Sequence, residues 1–226
     1  MSSYQIYYYT PPQYKTGLEK MGIDLDLEIR NVDILIEEIK KQINENKEFC
    51  RDQKSIKYDY FKSLLSTDIV LYALSEDKEV LGALAFMFNI KDGDKVILFH
   101  GICSPYIYSK RGVGSELINT LIKIGITFRI KYIYLDCVGE KIKNYYEKFG
   151  FNVEKFIIKR SYDSDSDDDS DGEEDEEPHY YMKLDLSTIS GGKNKKNVSI
   201  KSRKNKKTKR NMKTRRNLKT GRKLRK

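Results

Sequence analysis

Ser109-Lys110-Arg111-Gly112-Val113-Gly114-Ser115 is a basic run containing two glycines, with a strand signal before it and a helix signal after it. Upstream, Val96-Ile97-Leu98-Phe99-His100-Gly101-Ile102-Cys103 is apolar, rich in β-branched residues and preceded by the turn pair Asp92-Gly93, which predicts a buried strand. Downstream, Leu117, Leu121, Ile122, Ile124 and Gly125 recur at helical spacing through Ile126. A strand, a basic glycine loop and a helix in that order make an anion site. Glycines let the backbone approach a phosphate, the N–H groups of the first helical turn point at it, and Lys110 and Arg111 add fixed positive charge. Leu117 stands where the third glycine of a dinucleotide fingerprint belongs, and no Gly-Lys-Ser/Thr ending marks a P-loop. On this loop alone, an ordinary strand–helix turn and an anion site stand on equal terms.

The residues that follow shift that balance. Tyr132-Ile133-Tyr134-Leu135-Asp136-Cys137-Val138 predicts a second strand. In Ile142-Lys143-Asn144-Tyr145-Tyr146-Glu147-Lys148-Phe149-Gly150-Phe151, the residues Ile142, Tyr145, Tyr146 and Phe149 share a helical face, and Gly150 is placed to end the helix. A glycine loop opening a helix, then a strand, then a helix ending Tyr-Glu-Lys-x-Gly-Phe resembles the GNAT superfamily of N-acetyltransferases. Gly112 and Gly114 carry the first match; Tyr146, Glu147, Lys148, Gly150 and Phe151 carry the second. The resemblance covers residues 69–186, with its specific motifs in the central half. Three departures accompany it: Ser109 stands where the family prefers Arg or Gln, the interval from Pro105 to Gly112 is one residue longer, and Gly139 replaces a frequent asparagine.

The chain has 226 residues, 38% hydrophobic and 34% charged, enough for one well-cored domain with appendages. The start, Met1-Ser2-Ser3-Tyr4, carries no basic-then-apolar secretory pattern, and no apolar run reaches the ~20 residues that span a bilayer. Three widely spaced cysteines, Cys50, Cys103 and Cys137, predict a reducing compartment without disulfides; with only His100 and His179 to help, no metal site is expected. An intracellular location, cytoplasmic or nuclear, follows as an expectation. Lys, Ile, Asn and Tyr usage resembles that of AT-rich genomes, including those of large DNA viruses.

In chain order, residues 4–10 predict a strand ended by Pro11-Pro12, residues 33–46 and 58–65 two helices, and residues 68–74, 80–89 and 96–103 an antiparallel meander. Residues 153–160 and 180–186 predict a last hairpin. Spacing alone says α+β or mixed α/β. The resemblance implies the GNAT arrangement: a central, mostly antiparallel sheet splayed between two strands and flanked by helices. Within the hairpin, residues 163–177 hold eleven Asp/Glu and no base; residues 191–226 hold eighteen Lys/Arg and no acid. Neither segment can bury a core, so both are expected to be disordered. The expected division is an acetyltransferase-like domain over 1–190, with a disordered acidic insertion at 163–178, and a disordered basic tail over 191–226. With both segments set aside, 25 bases stand against 23 acids, so the folded part is close to neutral and the basicity behind the net charge of +9 belongs to the tail.

The resemblance implies acetyl-CoA as donor and an amine as acceptor, in a direct transfer. The diphosphate would rest on Ser109, Lys110, Arg111, Gly112, Val113, Gly114 and Ser115. Backbone N–H groups near Cys103 and Ser104 would polarise the thioester carbonyl, each donor worth about 3 kcal/mol, with Gly101 suiting the bulge that strand splaying needs. Tyr146 aligns with the family's proton donor to the departing thiolate, and Tyr145 reads as packing. No acid lies between Lys95 and Lys110, where the family often keeps its base; His100 is on the right strand and titrates in a useful range, though a core histidine is the plainer reading. Cys103 and Cys137 read as small buried hydrophobes, Glu116 as a helix-dipole partner, and Asp136 as a strand-end residue.

The acidic run would gather a polycationic acceptor electrostatically, or serve as a solvated linker, or mask the basic tail; Ser164, Ser166 and Ser170 sit in acidic context for phosphorylation. The tail supports a rival class, a weak or inactive GNAT-like module that holds nucleic acid nonspecifically through residues 191–226. Acceptor identity and oligomeric state are not legible.

Overall fold

The computed structural model describes residues 3–33, 36–45, 49–50, 58–105, 112–159 and 177–190. The loop residues Ser109, Lys110 and Arg111, the acidic run from 163 to 176 and the tail from 191 onward lie outside them. The chain divides into two units, Met1–Gly192 and Lys193–Lys226, and all described residues belong to the first.

Tyrosine-rich β1 (Tyr4–Tyr9) leads into α1 (Pro12–Lys20), a 3-10 turn (Leu25–Leu27) and β2 (Arg30–Asn31). Next come α2 (Ile36–Glu45), α3 (Tyr58–Thr67) and the meander β3 (Ile69–Ser75), β4 (Val80–Lys91) and β5 (Asp94–Cys103). Then follow α4 (Val113–Thr127), β6 (Tyr132–Val138), α5 (Glu140–Glu147), β7 (Asn152–Lys159), β8 (Glu177–Asp185) and α6 (Leu186–Ser190). One eight-stranded sheet runs in the order β2-β1-β3-β4-β5-β6-β8-β7, antiparallel except for β1–β2 and β5–β6. This is the mixed α/β, mostly antiparallel architecture expected from the resemblance.

Strand alternation divides the core between two faces of the sheet. Ile69, Leu71 and Ala73 of β3 join Leu117 and Leu121 of α4 and Tyr146 of α5 in one cluster. Val70, Tyr72 and Leu74 join Ile39 and Ile43 of α2 and Phe61 and Leu64 of α3 in the other. With helices over both faces, β3 and most of β4 are buried throughout. Each fully buried aliphatic side chain contributes about 2 kcal/mol of stabilisation.

The structure departs from the sequence reading in three places. Pro12 does more than end a strand: it opens α1 as a first-turn proline, so three helices precede or flank the meander where two were expected. Leu18 is the only buried residue of α1, which is why periodicity did not signal it. At the other end, Leu186 leaves the sheet and starts α6, turned by Asp185, whose carboxylate accepts from the Ser187 N–H at 2.9 Å.

The third departure is a disulfide. Cys50 and Cys103 are bonded, with Cα atoms 5.2 Å apart, where no disulfide was expected. The pair is 53 residues apart in sequence, but a bridge between Phe49 and Pro105 lays the segment after α2 along the end of β5. Cys137 keeps its thiol, buried beside the Met182 sulfur at 3.6 Å. Among the described residues, no cluster of His, Cys, Asp or Glu has the make-up of a metal site, and no helix is long and apolar enough to cross a membrane.

Candidate active site

β5 and β6 pair as parallel strands only from Val96–Tyr132 to Phe99–Leu135. Beyond that point β5 continues along β4, through Gly101–Ala85 to Cys103–Ala83, while Asp136 to Val138 of β6 continue along β8. The two strands therefore part. The β4–β5 register explains how: Phe86 faces Phe99 and Ala85 faces Gly101, leaving His100 as the extra residue of a bulge. The sequence reading gave the bulge to Gly101; the structure puts it one residue earlier, with Gly101 beside it.

A cleft of about 190 Å³ fills the resulting gap. Phe99, His100 and Gly101 line it from β5, Asp136 and Cys137 from β6, and Tyr146 from α5. Tyr60 of α3 and His179 of β8 complete it. Beside it, a wider mouth of about 670 Å³ has Tyr60, His100 and Asp136 in common with the gap and adds Lys91, Glu154 and Tyr181.

Tyr146 and His100 approach this gap differently. Tyr146 belongs to the core cluster of α4 and α5, where its ring is held edge-on by Phe99 at 5.7 Å and by Phe151 at 5.9 Å. Burial, reinforced by Cys137, Tyr145 and Asp136, pushes its phenol well above the ordinary tyrosine range, so it is protonated at any physiological pH. His100 turns toward α3, where its Nδ1 lies 2.5 Å from Oδ2 of Asp68. That carboxylate is only 3% exposed, and its other oxygen accepts from Thr67 Oγ1 at 2.9 Å. Tyr60 on α3 is half exposed, yet desolvation and then the charges of Asp136 and Asp68 push its phenol upward, so the inner gap lies in a negative field. Lys91 and Lys155 sit farther out at the mouth, over the rings of Tyr134 and Tyr181.

On the α4 side, Gly112 takes the left-handed conformation (φ 81°, ψ 3°) at the N-cap, and no side chain among the described residues caps the helix. Val113 is buried, so what it offers a ligand is its backbone. At Gly114 a Cβ would lie 3.3 Å from the Tyr145 hydroxyl and 3.5 Å from Ile102 Cδ1, so the helix start packs closely on α5 and β5. Tyr145, read as packing, brings its hydroxyl within 3.3 Å of Ser115 Oγ, at the start of α4.

Of the other sequence candidates, Cys103 is buried and disulfide-bonded, and the carbonyl of its neighbour Ser104 accepts from the Cys50 N–H at 3.4 Å; both stand at the end of β5 past the divergence. Glu116 lies in the first turn of α4 and lines a separate cleft with Glu28 and Lys123. The Cys137 thiol is pushed up to about 12, chiefly by burial, which makes it inert as a nucleophile near neutrality. Sequence reasoning missed Asp68, Tyr60 and the position of His179. No local spacing ties α3, β5 and β8 together, so only pairing across the sheet could have found them.

A family model for the acetyltransferase (GNAT) family matches residues 36–151. The chain belongs to the GNAT family of acetyltransferases. Among solved structures, a putative acetyltransferase of the GNAT family from Desulfovibrio desulfuricans aligns with TM-score 0.51 at 13% identity, over 81% of this chain and 99% of that one. The NatC complex bound to Gag peptide and CoA aligns with TM-score 0.51 at 15% identity, over 80% and 98%. Nourseothricin acetyltransferase aligns with TM-score 0.41 at 15% identity, over 53% of this chain, which spans 65% of that one. At such identities the first two likenesses are of fold alone. No curated protein matches the chain in sequence.

Proposed function

We propose that the chain transfers an acetyl group from acetyl-CoA to a primary amine of a polyamine, a lysine side chain or a protein N-terminus. The observation that carries this reading is the gap between β5 and β6, which Tyr146 lines from the α5 face while His100 reaches it from the α3 side. Bound acetyl-CoA supplies an acyl group activated as a thioester. An uncapped helix start beside parted strands suits such a molecule, with its diphosphate at one end and a slim arm leading to the reacting carbon.

In this reading the first-turn amides of Val113, Gly114 and Ser115 hold the diphosphate, and Ser109, Lys110 and Arg111 complete the cradle. Backbone N–H groups near Cys103 and Ser104 donate to the thioester carbonyl as negative charge grows on its oxygen, each worth about 3 kcal/mol. His100 takes a proton from the attacking amine. The new nitrogen–carbon bond forms as the carbon–sulfur bond breaks, and the phenol of Tyr146 gives its proton to the departing sulfur. Water then carries the proton from the imidazolium and restores the phenol. The negative field around Tyr60, set by Asp136 and Asp68, favours a cationic acceptor at the inner gap. The acidic run that stands between β7 and β8 in the sequence would attract the same cationic class of acceptor.

The test is acetyl-CoA-dependent thiol release with polyamines, basic peptides and arylamines, on wild type and Tyr146→Phe. Loss of a working proton donor lowers the rate ten-fold or more, about 1.4 kcal/mol. An unchanged rate removes Tyr146 from the role. Absence of any calorimetric or thermal-shift response to millimolar coenzyme A overturns the acetyltransferase reading itself.

A further inference from the structure

Asp68 and His100 come from different elements, and nothing in either one's local sequence announces the other. Asp68 sits at the junction of α3 and β3, where its N–H donates to the Leu64 carbonyl at 2.8 Å and so closes the helix. His100 is the bulged residue of β5, two strands away. A carboxylate buried to 3% exposure needs partners, and Asp68 has two: the Thr67 hydroxyl on Oδ1 and the His100 imidazole on Oδ2. A carboxylate only accepts, so Nδ1 must be the nitrogen that carries hydrogen. The neutral ring is then left with its lone pair on Nε2. His100 lines the gap and its side chain is 27% exposed, so the ring is anchored at Nδ1 without being wholly buried.

We infer that Asp68 is a positioning residue, which holds His100 as the Nδ1–H tautomer so that Nε2 accepts the proton of the attacking amine. This rests on the acetyltransferase reading for its chemistry, but not for its geometry. The absence of an acid between Lys95 and Lys110 is thereby answered: the carboxylate of the proton-accepting pair comes from before β3 instead of from β5. The balance is one proton from the amine to Nε2, one from the Tyr146 phenol to the sulfur, one nitrogen–carbon bond made and one carbon–sulfur bond broken. Asp68 itself exchanges no proton; it stabilises the imidazolium that forms. The titratable groups that share the gap with His100 are Tyr60 from α3, Asp136 and Cys137 from β6, Tyr146 from α5 and His179 from β8, with Asp68 behind the ring.

Nitrogen NMR of the full-length protein labelled at histidine tests the geometry without any substrate. The sequence has only two histidines, so His100→Gln assigns the signals by loss. The expected result is a His100 ring in the Nδ1–H form with a hydrogen-bonded, far-downfield proton; an Nε2–H ring in the wild type overturns the proposal whatever the variants do. Kinetics test the role. Asp68→Asn lowers kcat ten-fold or more with little change in the KM for acetyl-CoA, and His100→Gln lowers it ~100-fold. In the His100→Gln background, adding Asp68→Asn costs little further, because Asp68 acts through that ring. A purely structural Asp68 would instead impose its full cost in both backgrounds, which overturns the inference. If no amine is acetylated by the wild type, the acetyltransferase reading fails, while the tautomer still decides the pair.

Discussion

At φ 81°, Gly112 occupies a region where a side chain costs about 1–2 kcal/mol, and among the described residues nothing lies within 4 Å of where its Cβ would stand. The penalty for Gly112→Ala is therefore backbone strain and not a clash. Two effects are expected together: a loss of about 1–2 kcal/mol of stability, read by thermal or denaturant melts, and weaker coenzyme A binding by calorimetry as the first-turn amides tilt. Binding unchanged in a destabilised variant would detach the glycine from the anion site. Tyr145 and Tyr146 illustrate how much a single position settles. Adjacent on α5, Tyr145 brings its hydroxyl to the start of α4 beside Ser115, while Tyr146 packs its ring on Phe99 and is among the residues lining the gap. Sequence spacing separated them only through the family motif, because both fall on the apolar side of the helix.

Among elements, the seating of α4 on β4 positions the site. Gly82 of β4 leaves room for Val113: a Cβ there would lie 2.9 Å from Val113 Cγ1 and 3.3 Å from the Cys103 carbonyl. Neither neighbour is the free end of a long side chain, so Gly82→Ala must displace the first turn of α4 or the end of β5. A cost of about 1–3 kcal/mol is expected, with coenzyme A affinity falling as well. A stability and an affinity equal to wild type would show that the contact yields easily. The bulge at His100 is the other element-level device. It ends the β5–β6 ladder and turns a histidine toward α3 while Phe99, one residue before it, packs on Tyr146.

For the molecule as a whole, the Cys50–Cys103 bond ties the segment after α2 to the end of β5 and closes a long loop in the unfolded chain. With the partners 53 positions apart in sequence, the loop-entropy model assigns the bond about 4 kcal/mol. Reduction should lower the melting temperature by roughly 10 °C for a chain of this size. Melts with and without reductant, alongside intact mass of the alkylated protein, decide it; identical melts for oxidised and reduced protein would remove the bond from the stability of the fold. Alkaline stability follows from burial. Cys137, Tyr146 and Tyr72 all have folded values raised above the ordinary 9.0 or 10.0, so the folded state keeps protons that the unfolded chain loses. Their stabilisation is complete below those ordinary values and falls as pH rises past 9.

What the sequence determined by itself was the order and kind of most of the main elements, because periodicity is a local property. Residues 96–103 and 132–138 read as strands on composition alone, and as strands they stand. The tertiary structure decided the rest: that His100 is bulged, that Asp68 lies behind it, that His179 and Tyr60 enter the same gap, and that Cys50 meets Cys103. Alternation tells which face of a strand is buried, but not which strands become neighbours or where two of them part. Those facts belong to pairing between segments tens of residues apart, and the site is built from them.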